Sequence, residues 1–305
     1  MFSEGYVRII LALAPFMVCL ALSLDSELWK KRWWWLGGAS LFAASVVSSV
    51  FAVWGCLPWL ILTFGLAVNH LRKPRGGLSE LALLASALYL PVGGVWALFA
   101  QLKLQPLGFS GIIVLLTGVH FHYAGFALPR LSGLWLSRQS TRTVYSVATV
   151  GIIAGVPLVA IGITTSQLQM SPWIEVVAVS ILAFSAFVLS LGQLVWALKT
   201  PLPTAARGLF LLGGFSLVGG MVLATIYGWR SVFPVAWATI PTMYAVHGTL
   251  NSLGFCIPGF LAWHQTGLPP ELESTDSILE IVDPLPIGVK TFQEDPAIRA
   301  PLLHE

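Results

Sequence analysis

The sequence predicts an all-α, polytopic transmembrane helix bundle of about nine spans, with the N-terminus outside and the C-terminus cytoplasmic. Three observations carry this. The chain is 56% hydrophobic and only 10% charged, with mean hydropathy +0.83, against about 45–50% apolar and about 25% charged in soluble domains. Its apolar residues fall in runs of about 17 or more, the length a helix needs to cross a hydrocarbon core of about 30 Å. Its basic residues collect between alternate runs, as expected of cytoplasmic loops. The net charge of +3 lies in short clusters that form no continuous stripe, which argues against a nucleic-acid partner. Cys19, Cys56 and Cys256 are far apart in apolar surroundings and read as packing residues.

The first run, 9–24, has the length of a secretory signal. Lys30, Lys31 and Arg32 follow it instead of preceding it, so it reads as an uncleaved first span. Residues 33–70 are too long for one span and short for two. Within them WGCLPW (54–59) combines a glycine, a proline and two tryptophans, and reads as an interfacial turn between two spans of about 17 residues. Further spans are expected at 79–100, 108–129, 143–165, 172–198, 206–228 and 235–262.

Charge asymmetry supports this count. One side collects Lys30, Lys31, Arg32, Arg72, Lys73, Arg75, Arg130, Arg138, Arg142, Lys199 and Arg207, and the other Arg8, Lys103 and Arg230. Merging spans two and three would destroy the bias. Tryptophans fit an aromatic belt, with Trp29, Trp33, Trp34, Trp35, Trp135, Trp196 and Trp263 near inner ends and Trp54, Trp59, Trp173, Trp229 and Trp237 near outer ends. Residues 1–264 thus form the membrane domain. Residues 265–305 are acidic and contain prolines, which predicts a mostly disordered cytoplasmic tail. Its apolar piece SILEIVDPLPIGV (277–289) could dock on a cytoplasmic partner or on the membrane domain, a solvated tail being the favoured reading.

No carboxylate lies deep in a span; Glu80 and Glu175 sit near span ends. That argues against an ion-coupled pump and leaves a passive channel or a flippase open. The buried polar residues concentrate instead in two stretches, GVHFHYAGFALP (118–129) and MYAVHGTLNSLGF (243–255). His120 lies ten residues before Arg130, and His247 ten after Trp237. At about 1.5 Å per residue both fall near the midplane. Helical spacing groups Tyr244, His247 and Asn251 on one stripe and Thr117, His120 and Tyr123 on another. His122, about 200° round from His120, points elsewhere.

Three uses fit such imidazoles. His120, His122 and His247 could ligate a transition metal or haem. His120 or His247 could act as general acid or base, with Tyr123, Tyr244 or Asn251 donating hydrogen bonds or orienting the ring. The third use is helix packing alone, worth about 0.6 to 2 kcal/mol per contact. No phosphate loop, nucleophile elbow, zinc-protease motif or dinucleotide fingerprint is present, so the cofactor is unknown from motifs.

HFHYAGFALP (120–129) and HGTLNSLGF (247–255) resemble the YndJ-like family of bacterial multi-pass membrane proteins. The likeness extends over about residues 5–263 and does not include the tail. It implies a protein of the bacterial cytoplasmic membrane whose characteristic residues are His120, His122, Tyr123, His247, Gly248 and Asn251, and it leaves the chemistry open. Two functions follow: an intramembrane enzyme or cofactor-binding protein acting on an isoprenoid or lipid, or a transporter whose substrate path is lined by the same polar stripe. The expected partners are the lipid bilayer and a hydrophobic small molecule.

Overall fold

The computed structural model describes residues 4–24, 30–47, 52–73, 76–138 and 143–267, and among these it is all-α. Nine helices follow in order: α1 (Glu4–Leu22), α2 (Arg32–Val46), α3 (Ala52–Arg72), α4 (Leu78–Gln101), α5 (Gly111–Leu136), α6 (Thr143–Gln167), α7 (Pro172–Lys199), α8 (Thr204–Gly228) and α9 (240–266). Seven of them, α1 and α3 to α8, are long and apolar enough to cross a membrane. The 15 residues of α2 extend about 22 Å, less than a hydrocarbon core. Wide π-helical turns interrupt α9 at Met243–His247 and Leu250–Cys256.

The surface identifies the solvent. Ile61, Phe184 and Phe215, each well inside its helix, are 72%, 70% and 67% exposed. Large side chains displayed in the middle of long helices would form an aggregation-prone patch in water. In lipid they cost nothing, and helices satisfy their own backbone there. The chain is a multi-pass membrane protein.

The two helices that carry His120 and His247 lie at the centre. α5 packs on α1, α4, α6, α7 and α9, whereas α2 and α3 flank α4 on one side and α6, α7 and α8 succeed one another on the other. α1 and α9 run side by side in the same direction. Tyr6 and Thr249 hydrogen-bond near one end, and His264 Nε2 lies 2.7 Å from Ser23 Oγ and 3.0 Å from the Leu20 carbonyl near the other.

Small residues let neighbouring helices approach, since van der Waals contact drives helix association in lipid. A Cβ at Gly162 of α6 would stand 2.6 Å from Glu175 Cα, and one at Gly155 would stand 3.1 Å from Leu182 Cα, both in α7. The obstacle at Gly162 is backbone and cannot rotate away. Gly162→Ala is therefore expected to destabilise by about 1–3 kcal/mol, read as a lower unfolding temperature in detergent.

Several boundaries differ from the sequence reading. WGCLPW is no turn: α3 begins at Ala52 and runs through it, with Pro58 inside the helix. Helix α2 ends at Val46, and residues 48–51 lie outside the described residues. Trp59 is no belt residue but wholly buried, and Trp135 and Trp263 are buried as well. With Trp196 and Phe210 these last two form an aromatic cluster, Trp196 stacking on Trp263 at 5.8 Å and meeting Trp135 edge-on at 5.5 Å. Helix α5 does not end at Pro129 but continues to Leu136, so Arg130 is buried inside it instead of lying in a loop. Its guanidinium sits 5.4 Å from the Phe126 ring centre. The predicted tail lies, from residue 268 onward, outside the described residues.

Candidate functional site

Both polar stretches depart from α-helical geometry. Phe121–Ala127 in α5 and the two segments of α9 are π-helical. A π turn widens the helix by one residue and frequently marks a functional site. Each carries a glycine or another small residue; His120 immediately precedes the first segment and His247 ends the second.

The histidines part company there. His120 and His247 line one cavity of about 750 Å³. Thr117, Tyr123, Tyr244 and Asn251 line the same cavity, so both stripes derived from helical spacing face it. Val179, Leu182, Leu217 and Met221 supply apolar wall, and Leu128, Phe255 and Cys256 lie deepest along α5 and α9. At the other end the lining reaches the exposed Gly108 and Gln169, with Glu175, Arg230 and Ile240 beside them, where α5, α7 and α9 begin and α6 and α8 end; this end forms the mouth.

His247 is held in one tautomer. Its Nδ1 lies 2.8 Å from the Gly220 carbonyl of α8; a carbonyl only accepts, so Nδ1 carries the proton and Nε2 the basic lone pair. Asn251 Nδ2 donates to the His247 carbonyl at 3.0 Å and lies 3.1 and 3.2 Å from the two ring nitrogens. Near-equal distances place the amide over the imidazole face, out of line with the Nε2 lone pair. Asn251 Oδ1 is buried without a partner, as is His120 Nε2. Two cavity-lining polar groups thus retain hydrogen-bonding capacity, which in a packed interior calls for a ligand or water.

Gly220 makes this arrangement possible. A Cβ there would stand 2.6 Å from Asn251 Oδ1 and 2.9 Å from Nδ2. Gly220→Ala is expected to displace the Asn251 amide and loosen the imidazole it covers, costing about 1–3 kcal/mol, read as a lower unfolding temperature in detergent.

His122 belongs elsewhere. Fully buried, it accepts from Trp59 Nε1 of α3 at 3.0 Å through Nε2, and its Nδ1 donates to the Gly118 carbonyl at 2.7 Å. The Trp59 and His122 rings stack with centres 6.1 Å apart, against Gly93 of α4, where a Cβ would stand 2.7 Å from Nδ1. Both nitrogens are occupied and His122 does not line the cavity, so His120, His122 and His247 do not form a shared metal site. Among the described residues no group of three His, Cys, Asp or Glu side chains is placed to hold a metal.

The remaining candidates divide. Tyr123 lines the cavity, but its hydroxyl donates to the Ile10 carbonyl of α1 at 2.9 Å, so the proton proposed for an oxyanion is committed to a helix tie. Tyr244 stays in the cavity wall. Missed altogether was the Glu175–Arg230 ion pair at the mouth, 2.7 Å long. Its signal was available, because consecutive antiparallel spans bring the start of α7 beside the end of α8.

Fold and site together define a polytopic helical membrane protein with an imidazole-bearing cavity inside the bundle. The sequence model of the YndJ-like family matches residues 9–255, and the chain belongs to that family. The chain is also similar to the uncharacterized membrane protein YndJ of Bacillus subtilis (strain 168), 29% identical over 256 residues, which is 82% of this chain and 45% of that protein. It therefore spans about half the length of that relative. No solved structure matches. The family match includes both π-helical stretches up to Phe255.

Proposed function

We propose that the protein is an intramembrane acid–base enzyme of the bacterial cytoplasmic membrane, acting on a hydrophobic isoprenoid or lipid held in the central cavity. The observation that carries this reading is His247, locked by the Gly220 carbonyl with Nε2 as its basic nitrogen, in a cavity that it shares with the unpartnered Nε2 of His120. Two such groups can remove a proton from one atom of a bound molecule and return one to another, a contribution of about 10²–10⁴ in rate. The apolar walls hold the substrate and exclude water. Asn251 Oδ1 is a ready acceptor beside the reacting atoms. Spans numbering nine, with the N-terminus outside, would open the cavity to the exterior.

Transport is the second reading, favoured by the opening of the cavity at one end of the bundle. It requires a second opening, and the aromatic cluster of Trp135, Trp196, Phe210 and Trp263 would have to part. Incubating detergent-purified protein with isoprenoid and lipid extracts separates the two. An enzyme converts a component without a sealed compartment. Failure to convert any pool, combined with substrate flux into proteoliposomes, would establish transport and overturn the enzyme reading.

A further inference from the structure

The mouth of the cavity holds a polar group that acid–base chemistry at His247 does not use. Glu175, in the first turn of α7, is 2% exposed, and Arg230, just past α8, holds it at 2.7 Å through Nη1. The same Nη1 donates to the Tyr227 carbonyl at 2.8 Å, and the guanidinium lies 3.9 Å from the Tyr227 ring centre. A buried carboxylate needs such a partner, so the pair has a structural role in any case. That role occupies one nitrogen. Among the described residues the Nε and Nη2 edge of Arg230 makes no hydrogen bond, and the side chain is 33% exposed.

An arginine clamped on one side and free on the other offers two parallel donors in a fixed plane, the geometry that binds carboxylate or phosphate oxygens in bidentate fashion. Ser166 Oγ, on the same cavity lining, is also buried without a partner. Behind this rim lies an apolar space of about 750 Å³, within the range of about 300–1,000 Å³ typical of sites for one small ligand.

We infer that the ligand is a single-chain anionic amphiphile whose carboxylate or phosphate head group is bound by the free edge of Arg230, with its chain running into the cavity past His247. The inference rests on the reading of the cavity as a site for a hydrophobic molecule. Ile240 at the mouth is seven residues from His247, so the imidazoles meet the chain about 10 Å below the head group. Glu175 competes with the ligand for Arg230 and tempers its attraction for free inorganic anions, which lack the chain.

Binding of three ligands with the same long chain, a carboxylate, a phosphomonoester and a neutral alcohol, tests this on detergent-purified full-length protein, with inorganic phosphate as a fourth probe. The wild type is expected to prefer at least one amphiphilic anion over the alcohol by about tenfold or more and to bind inorganic phosphate weakly. Arg230→Ala should erase the preference while alcohol binding persists. Arg230→Lys, which keeps the charge beside Glu175, should fold and still lose most of it. Glu175→Gln should raise it, an outcome a purely structural pair would not produce. Equal binding of anions and alcohol by the wild type, or a preference that survives Arg230→Lys unchanged, overturns the head-group assignment and leaves the cavity as a hydrophobic site. Inorganic phosphate bound as tightly as the amphiphiles also overturns it, and binding of none of the three chains overturns the cavity reading itself.

Discussion

His247→Ala is expected to lower conversion of the hydrophobic substrate by about 10²–10⁴-fold while barely moving the unfolding temperature. Its side chain makes one firm tie between helices, the 2.8 Å bond to the Gly220 carbonyl, and such bonds are worth about 0.6 to 2 kcal/mol in membranes. The imidazole borders open cavity, so its removal enlarges a space instead of creating a new void. Turnover measured beside thermal unfolding separates the two effects. A variant that unfolds early and retains its specific activity would assign His247 to packing.

His122→Ala should do the reverse. Its ring fills fully buried space between α3, α4 and α5, and its loss orphans the buried Trp59 indole N–H. Void and unsatisfied donor together cost about 3 kcal/mol or more, seen as a large fall in unfolding temperature. Catalysis per folded molecule should survive, because neither His122 nitrogen reaches the cavity. Trp59→Phe should cost about 1–3 kcal/mol, since it strands His122 Nε2. Combining Trp59→Phe with His122→Phe removes donor and acceptor together and should cost less than the two single changes added. Full additivity in that cycle would show that the 3.0 Å bond contributes nothing.

The different fates of His120 and His122 were legible from two residues of spacing, because a step of about 200° round a helix separates the faces. So was the grouping of Tyr244, His247 and Asn251, which the structure sets on one cavity wall. The π-helical turns were not legible. Thr117, His120 and Tyr123 fall at helical spacing, and nothing in the pattern of Phe121–Ala127 separates an i−4 from an i−5 bond; the segment packs on α1, α4 and α9. WGCLPW misled for a local reason. Glycine, proline and tryptophan favour an interfacial turn in isolation, but in α3 Gly55 packs against Ser40 and Ala44 of α2, and Trp59 finds His122 sixty-three residues away. Arg130 misled similarly, as a lone arginine after an apolar run reads as a loop residue, although here it is covered by protein and by the Phe126 ring.

The central cavity is expected to hold a hydrophobic molecule beside the imidazoles. Photo-crosslinking with a long-chain diazirine probe, followed by peptide mapping, tests that most directly. Labels should concentrate on the cavity faces of α5 and α9 around His120, Tyr244, His247 and Asn251, and unlabelled lipid extract should compete them away. Labels confined to outward residues such as Ile61, Phe184 and Phe215, unaffected by competitor, would contradict the account and leave the polar stripes as packing alone.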